Sequence, residues 1–422
     1  MTPARDPHST RALLLRNSLY ILLAALLAVQ WIVVRALGLA GHDPLFQSLG
    51  GGLAIFGAAF LLSWAAEAAQ MDIPRALAMA FLALIAVLPE YAVDMYFAWQ
   101  APHKEGYAAF ATANMTGANR LLIGLGWATV VATAWLSRRS RSIALERQQS
   151  VEIFFLIVAT VYSFVIPWKQ TISLWDASVL VTLFVIYMVL AGRAEHHEPE
   201  LDGPAESIAA LPAAQRRIAV IGLFLLSGAA ILLAAEPFAE GLVATGRQFG
   251  IEEFLLVQWL APLASESPEF IICILFAWKG NATAGISALV SSSVNQWTLL
   301  IGMLPIVYSI SAGSPLAMPL DHRQVEEMLL TTAQSIFAVS IIADLRFSVR
   351  EAAILFVLFA SQLVLTDPVA RYTLSAIYIL LTIVTMTLGG AEKRRALASM
   401  PAYVLGRAHS RSSAQGASSE SK

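Results

Sequence analysis

The sequence predicts an all-α polytopic membrane protein with about twelve transmembrane helices. Of its 422 residues, 58% are hydrophobic and only 13% are charged, whereas about 25% of the residues of a soluble domain are charged. Its apolar segments are long enough to cross a bilayer. Two of them carry the same polar motif and enter the membrane from opposite sides, as in an inverted repeat. Together these observations exclude a soluble globular domain.

The apolar segments give the helices in order. The hydrocarbon core of a bilayer requires about 20 apolar residues per helix. By that measure we predict spans at residues 17–40, 47–69, 76–100, 107–136, 150–167, 172–193, 217–245, 252–278, 283–311, 325–345, 349–366 and 370–389. The first segment is too long for the apolar region of a cleavable signal peptide, so we predict that it is a membrane helix.

Lys and Arg residues predict the orientation, because cytoplasmic loops carry an excess of them. If the N-terminus is cytoplasmic, twenty of the 27 Lys and Arg residues lie in cytoplasmic loops and tails, and five lie outside. We therefore expect an integral protein of the plasma (inner) membrane, surrounded by lipid, with both termini cytoplasmic. The tail after Ala391 is rich in Ser, Ala and Arg, a composition typical of disorder.

An internal repeat surrounds two Pro-Glu pairs. The stretch VLPEYAVDMYFAW covers residues 87–99 and ESPEFIICILFAW covers residues 266–278; in both, Phe-Ala-Trp begins eight residues after the proline. The sequence LLIG follows at 121–124 and again at 299–302. The second copy comes five predicted spans after the first, and because five is odd the copies are inverted. Inverted repeats are a recurring plan of secondary transporters; a duplicated scaffold without a transport role is the alternative.

Each Pro-Glu helix presents two carboxylates on one face. Glu90 and Asp94 are four residues apart, and Glu266 and Glu269 are three apart. An acid at the centre of a membrane helix costs roughly 2.5–3.5 kcal/mol, so four of them indicate a functional site. We predict that Pro89 kinks its helix and that Pro268 breaks its helix, because a proline inside a helix frees a carbonyl oxygen; carbonyl and carboxylate oxygens are ligands for hard cations. Because close carboxylates do not both stay ionised at low cost, we expect an entering cation to displace a proton, with Glu266 as its carrier.

The helix after each Pro-Glu helix carries amides and hydroxyls. Asn119 and Asn295 each stand shortly before LLIG and are the best candidates there, whereas single Ser and Thr residues also serve helix packing. Arg120 lies inside a predicted span, directly after Asn119. We predict that it is an internal cation paired with Asp94 or Glu90; snorkelling of its side chain to an interface is the alternative.

These motifs resemble the alpha-repeats of the calcium/cation antiporter superfamily, the sodium/calcium exchanger family in the broad sense. Its repeats run roughly Gly-Thr-Ser-x-Pro-Glu on one helix and Gly-Ser-Asn-x-x-Asn/Asp on the next. The resemblance implies a ten-helix core of two inverted five-helix repeats, a cation site near the midplane, and alternating access. The segments are then 1–46 (an N-terminal cytoplasmic segment and an extra helix), 47–193 (first repeat), 194–216 (cytoplasmic loop), 217–366 (second repeat), 367–390 (an extra helix) and 391–422 (a disordered cytoplasmic tail).

The resemblance also implies a set of cation ligands. Its two metal-binding glutamates match Glu90 and Glu269. The neutral ligands that it implies lie on the same helices and on the helices that follow them: Ser265, Ser291, Asn295 and, in the first repeat, Asn119, with Asn114 as the alternative because the spacing to LLIG differs by two residues.

Several positions depart from the family's pattern. The hydroxyl residues expected before the first Pro-Glu are replaced by Ala86 and Val87, and the corresponding serine of the second repeat is Glu266. Asp94 and Arg120 are not part of that pattern, and we assign them, with Glu266, an accessory or proton-coupling role. Fewer hydroxyls and more carboxylates favour exchange of a cation for protons or sodium over a stoichiometry of several sodium ions per calcium.

The sequence therefore predicts a secondary antiporter that exchanges calcium or sodium for protons or sodium, and not an enzyme. We expect no cofactor other than the transported cation, and no nucleic-acid partner. A passive cation channel is one alternative, which ion flux without dependence on a counter-ion would identify. A glutamate-type intramembrane protease is another, because Glu326 and Glu327 resemble the start of its Glu-Glu-x-x-x-Arg motif, although Thr331 occupies the place of the arginine.

Overall fold

The computed structural model describes most of the chain and all of the predicted site residues. The described residues are 7–39, 41, 43–72, 87–192, 201, 203–388, 393–404 and 406. Parts of several predictions lie outside them, chiefly the start of the N-terminal segment at 1–46, the start of the span at 76–100, the start of the loop at 194–216, and most of the tail at 391–422.

Helices account for nearly all of the described chain. In chain order they are α1 (Pro7–Ala36), α2 (Pro44–Ala69), α3 (Leu88–Gln100), α4 (Tyr107–Leu121), α5 (Ala128–Arg138), α6 (Ser150–Ser163), α7 (Val165–Lys169), α8 (Leu174–Ala191), α9 (Pro204–Ala209), α10 (Ala213–Phe249), α11 (Glu253–Lys279), α12 (Ala282–Asn295), α13 (Ile301–Ala312), α14 (His322–Ile342), α15 (Val349–Gln362), α16 (Pro368–Leu388) and α17 (393–404).

Short elements of other kinds join these helices. A π-helix at Leu122–Trp127 connects α4 to α5, and a second at Gln296–Leu300 connects α12 to α13. Arg147–Gln149 forms a 3-10 turn before α6. The described residues form two antiparallel strand pairs: β1 (Ser142–Ala144) with β4 (Arg346–Ser348), and β2 (Thr171–Ile172) with β3 (Met318–Pro319).

Ten helical stretches of the described residues are long and apolar enough to cross a membrane. Each corresponds to one predicted span, so the prediction of an all-α polytopic membrane protein is confirmed. Of the other two predicted spans, the one at 76–100 lies partly outside the described residues. The one at 349–366 corresponds to the shorter helix α15.

Capping residues fix where several helices begin. The Asp43 carboxylate accepts a hydrogen bond from the Phe46 amide at 2.7 Å, directly before the proline that opens α2. The Asp321 carboxylate accepts from the Gln324 amide at 2.9 Å at the start of α14. These bonds satisfy backbone donors that have no partner within the helix.

Contacts divide the chain into two compact units, the first of which comprises residues 1–96 and 195–268. In its described part, α2 packs along α10 and against α1. A Cβ on Gly51 would lie 2.9 Å from Cβ of Phe238, and one on Gly57 would lie 2.6 Å from the carbonyl oxygen of Ala24. Only glycine allows these helices to approach so closely, and close approach is how membrane helices gain packing energy.

The second unit comprises residues 97–194 and 269–422. Its most enclosed helix is α14, which packs against α4, α6 and α16. The helices α8 and α13 pack side by side, as do α6 and α12. The two strand pairs of this unit join loops that are far apart in the sequence.

Helix α17 contradicts part of the predicted disordered tail. Nζ of Lys393 donates to the carbonyl oxygen of Ile341 at 2.7 Å and to the Glu351 carboxylate at 2.9 Å. Met400 and Val404 are buried; their spacing of four residues places both on one face of a helix. Composition missed this helix because its order depends on contacts with residues that are distant in the sequence.

Candidate cation site

The two Pro-Glu pairs occupy different places in their helices. Pro89 lies in the first turn of α3. A backbone N–H in the first turn has no partner within the helix, so the absence of that N–H in proline costs no helical hydrogen bond there. Pro268 lies inside α11, which is continuous from Glu253 to Lys279, so the prediction that Pro268 breaks its helix is wrong. The carbonyl oxygen of Ala264 nevertheless lacks the amide donor that a residue other than proline would supply.

Three of the four predicted carboxylates lie in the first unit and are buried. Glu90, Asp94 and Glu266 are each at most 3% exposed. A further acid belongs to this unit, because the Tyr96 hydroxyl donates to a carboxylate oxygen of Glu240 at 2.5 Å. Tyr96 follows Asp94 on α3, so α10 supplies an acid beside the helix that carries the first pair.

Ser265 stands directly before these acids on α11. Its hydroxyl donates to the carbonyl oxygens of Ala261 and Pro262 at 3.3 and 3.2 Å, and the Ser267 hydroxyl bonds to the Leu263 carbonyl. These hydroxyls therefore bond to carbonyl oxygens in the turns between the two prolines of α11, whereas the carbonyl oxygens that lose their amide donor to Pro262 and Pro268 are those of Gln258 and Ala264.

The fourth carboxylate, Glu269, lies in the second unit and is only partly buried. It accepts a hydrogen bond from the Ser292 hydroxyl of α12 and lies within electrostatic range of the buried Cys273 thiol. The neighbouring Ser291 is engaged differently, since its hydroxyl lies 2.7 Å from the Tyr187 hydroxyl. The structure thus joins Glu269 to the serine one residue beyond the predicted ligand.

The asparagines of the two repeats are buried but differ in their partners. Nδ2 of Asn119 donates to the Met115 carbonyl oxygen at 3.0 Å. Neither amide atom of Asn114 has a hydrogen-bond partner among the described residues, although the residue is 1% exposed. A buried amide without a partner calls for a bound ion or water. Asn295 is likewise buried.

Arg120 is an internal cation, as predicted, but the acid that pairs with it is one that the prediction did not name. Its Nη2 atom lies 2.6 Å from a carboxylate oxygen of Glu327, and both side chains are 2% exposed. Its Nη1 atom donates to Oε1 of Gln362 at 3.2 Å. The prediction named Asp94 or Glu90 because both are close in the sequence, whereas Glu327 comes more than 200 residues later.

The predicted site residues are shared between the two units. The first unit holds Glu90, Asp94, Ser265 and Glu266, and the second holds Asn114, Asn119, Arg120, Glu269, Ser291 and Asn295. Four polar residues that contact predicted residues or their helices were not among the predicted site residues: Tyr187, Glu240, Ser292 and Glu327. Of these, Glu327 had a usable signal, because a buried arginine requires an acid and Glu327 lies in a predicted span.

The fold and the buried carboxylates define a polytopic membrane transporter, and comparison with known proteins agrees. A model of the family described as sodium/calcium exchanger protein matches residues 44–192 and 219–366. The structure of the H+/Ca2+ exchanger CAX is similar, with 46% sequence identity and a TM-score of 0.89, over 94% of this chain and 99% of that one. No curated protein matches the sequence.

Two more distant structures share the fold. YfkE is 13% identical with a TM-score of 0.58, over 86% of this chain and 99% of that one. The sodium-calcium exchanger NCX_Mj is 14% identical with a TM-score of 0.52, over 76% and 99%. The class is therefore that of the cation antiporters. The chain belongs to the sodium/calcium exchanger family, as its Pro-Glu repeats predicted.

Proposed function

We propose that this protein exchanges Ca2+ for protons across a membrane, with Glu90 and Glu269 as the carboxylates that bind Ca2+. The observation that carries the proposal is the burial of carboxylates on both Pro-Glu helices. The 46% identity to an H+/Ca2+ exchanger supports the choice of ions. Ca2+ takes 6–8 oxygen ligands, and the neutral ones come from asparagine and serine side chains of the same repeats.

The role of protons follows from the free-energy cost of holding ionised carboxylates inside the membrane. An ionised carboxylate inside the membrane costs roughly 2.5–3.5 kcal/mol unless it is paired or bound to an ion. When Ca2+ leaves, the carboxylates therefore take up protons, and returning Ca2+ displaces them. Glu266 and Asp94, each one turn from a Ca2+-binding glutamate, hold protons in the ion-free state. Binding of one ion thus expels the other, which is the condition for exchange.

We also propose an orientation for the protein in the membrane. The excess of Lys and Arg in alternate loops supports a plasma (inner) membrane protein with both termini cytoplasmic. The two Pro-Glu motifs are then inverted relative to the membrane, and the site opens to the two sides in turn. Lipid, inorganic cations and protons are its partners.

The contacts of Glu326 and Glu327 argue against the protease alternative. Arg371 lies 3.0 Å from Glu326 and 2.9 Å from Glu327, and Arg120 also holds Glu327. Both carboxylate oxygens of Glu327 are thereby occupied by ion pairs.

Purified protein in liposomes tests the proposal. We expect Ca2+ influx when the lumen is acidic and the outside is alkaline, and loss of that influx when nigericin with K+ removes the pH gradient. Glu90→Gln and Glu269→Gln should each reduce influx to the level of empty liposomes. Influx that follows a Na+ gradient and ignores the pH gradient would instead identify a sodium exchanger, and influx without any counter-ion would identify a channel.

A further inference from the structure

Four side chains of alternating charge form a buried chain in the second unit: Arg120, Glu327, Arg371 and Glu326. Arg120 Nη2 lies 2.6 Å from Oε2 of Glu327. Arg371 bridges the two acids, with Nε 2.9 Å from Oε1 of Glu327 and Nη1 3.0 Å from Oε2 of Glu326. All four side chains are at most 8% exposed. This buried charge chain runs from α4 through α14 to α16.

Amide side chains fix the end of the buried charge chain at Arg120. Gln362 accepts from Arg120 and donates to Oε1 of Gln334 at 2.9 Å and to the Tyr378 hydroxyl at 2.8 Å. Nε2 of Gln334 donates in turn to the carbonyl oxygen of Arg120 at 3.1 Å. Both the guanidinium and the backbone of Arg120 are thereby held from α14 and α15.

The held backbone lies at a sensitive point of the helix. Asn119 precedes Arg120, and the π-helix at Leu122–Trp127 begins two residues later. A π-helical turn changes the register of backbone hydrogen bonds and often occurs at functional sites. The contacts to Arg120 therefore set the rotation of the turn that carries Asn119.

Helix α16 supplies the second cation of the buried charge chain, although it lies beyond the family match, which ends at residue 366. Within the buried charge chain two guanidinium groups face two carboxylates, and the guanidinium of Arg323, also on α14, lies within electrostatic range of all four. Removing Arg371 would take away the cation that bridges Glu326 and Glu327, which is unfavourable for a buried set of charges. This helix therefore completes the electrostatics of α14 in addition to its packing.

We infer that Arg371 is a positioning residue for cation exchange: it holds Glu327, Glu327 holds Arg120, and Arg120 fixes the turn of α4 that carries Asn119. The inference rests on the proposed function for its transport readout. Arg371 touches no transported ion in this scheme; it sets the affinity of the site through the geometry of α4.

The test compares Arg371→Gln with a matched control, Arg247→Gln. Arg247 also pairs with a glutamate, Glu253, at 2.8 Å, but that pair is exposed. We expect Arg371→Gln to raise the KM for Ca2+ about tenfold with little change in maximal rate, since a coupling of this kind is worth about that factor. Arg371→Lys keeps the charge but makes fewer directed bonds, so it should recover part of the affinity. Arg247→Gln should match the parent.

Hydrogen exchange measured without Ca2+ tests the role of Arg371 independently of the proposed function. In detergent, we expect Arg371→Gln to accelerate amide exchange in peptides covering 107–138, and Arg247→Gln to leave them unchanged. Parental exchange in those peptides together with a parental KM would overturn the inference. If Arg371→Gln does not fold, Arg371→Lys decides by the same two measurements. A parent that transports no Ca2+ would refute the proposed function alone, because the exchange comparison needs no transport.

Discussion

Glu269 and Glu266 occupy the same face of α11 but meet different surroundings. Glu266 is buried, whereas Glu269 is partly exposed and accepts the Ser292 hydroxyl. Exposure alone does not assign the roles, because Glu90, the other proposed Ca2+ ligand, is as buried as Glu266; the Ser292 hydroxyl, which already orients Glu269, favours Glu269 as the cation ligand of α11. The structure thus gives a physical basis for assigning different roles to two similar residues.

We predict that Glu269→Gln abolishes Ca2+ exchange, because the amide removes a full negative charge from the site. Glu266→Gln should still bind Ca2+, with an affinity that varies less with pH than that of the parent. Measuring Ca2+ affinity from pH 5 to pH 9 in both variants separates the roles. Glu253→Gln at the exposed start of α11 is the matched control and should behave as the parent. A parental pH profile in Glu266→Gln would contradict its role as proton carrier.

The spacing leaves Asn114 and Asn119 as alternatives, and in both the Oδ1 atom, which would bind a cation, is buried without a partner among the described residues. They differ in the amide nitrogen, which in Asn119 donates to its own helix and in Asn114 has no partner among the described residues. We predict that Asn114→Ala raises the KM for Ca2+ about tenfold, equivalent to ~1.4 kcal/mol, with an unchanged melting temperature.

Thr129→Ala provides a matched control for Asn114→Ala, because among the described residues the Thr129 hydroxyl bonds only to the Leu125 carbonyl oxygen, at 2.7 Å. It should leave the KM unchanged. If Asn114→Ala keeps the parental KM while its melting temperature falls, Asn114 is a packing residue and Asn119 remains the candidate ligand.

At the scale of the elements, the positions of the helices were predictable because hydropathy records the thickness of the bilayer. The continuity of α11 was not, because Pro262 and Pro268 each remove a backbone donor and so predict a break, whereas the helix continues from Glu253 to Lys279. The hydroxyls of Ser265 and Ser267 bond to carbonyl oxygens of their own helix, which serine spacing alone does not distinguish from a ligand role. The partner of Arg120 was not predictable either. A buried arginine requires an acid, but the sequence does not show which helix supplies it.

One polar connection ties the end of α2 to the start of α10. The Asp72 carboxylate accepts from Arg216 at 2.6 and 3.0 Å and from Arg217 at 3.0 Å. Hydrogen bonds from Arg216, together with those from Arg217, lower the pKa of Asp72 from 3.8 to about 2. Because this pKa is lowered on folding, the contribution to stability is complete above pH 3.8 and is lost as the pH falls toward 2.

We therefore predict that Asp72→Asn lowers the melting temperature in detergent at pH 7 and at pH 5 by the same amount. The difference from the parent should shrink as the pH falls from about 4 to 2, because the parent then loses the charge of Asp72 as well. Asp43→Asn is the comparison, since an asparagine also caps a helix, and it should change little. A difference that is constant down to pH 2 would show that the charge of Asp72 does not stabilise the fold.

At the scale of the whole molecule, contacts between distant loops agree with the predicted sidedness. The β1–β4 pair joins two loops that the Lys and Arg distribution places in the cytoplasm, and the β2–β3 pair joins two loops placed outside. Nη2 of Arg138 also donates to the carbonyl oxygen of Lys279, at 2.9 Å, between two predicted cytoplasmic ends. A miscounted span would have placed such partners on opposite sides of the membrane.

These pairings make the orientation testable with two cysteines. Ser142 in β1 should face the cytoplasm and Ser314, in the loop before β3, should face outside; both are exposed. The parental Cys273 is buried, so we propose Ser142→Cys and Ser314→Cys in a Cys273→Ser background. A membrane-impermeant maleimide added to intact cells should label the Ser314→Cys protein, and should label Ser142→Cys only after permeabilisation. The reverse labelling pattern would show that the protein has the opposite orientation in the membrane. It would not contradict the fold, because both loops of every strand pair would change sides together. Labelling of both in intact cells would show that β1 and β3 share a side, which would require an even number of crossings between them instead of the predicted five.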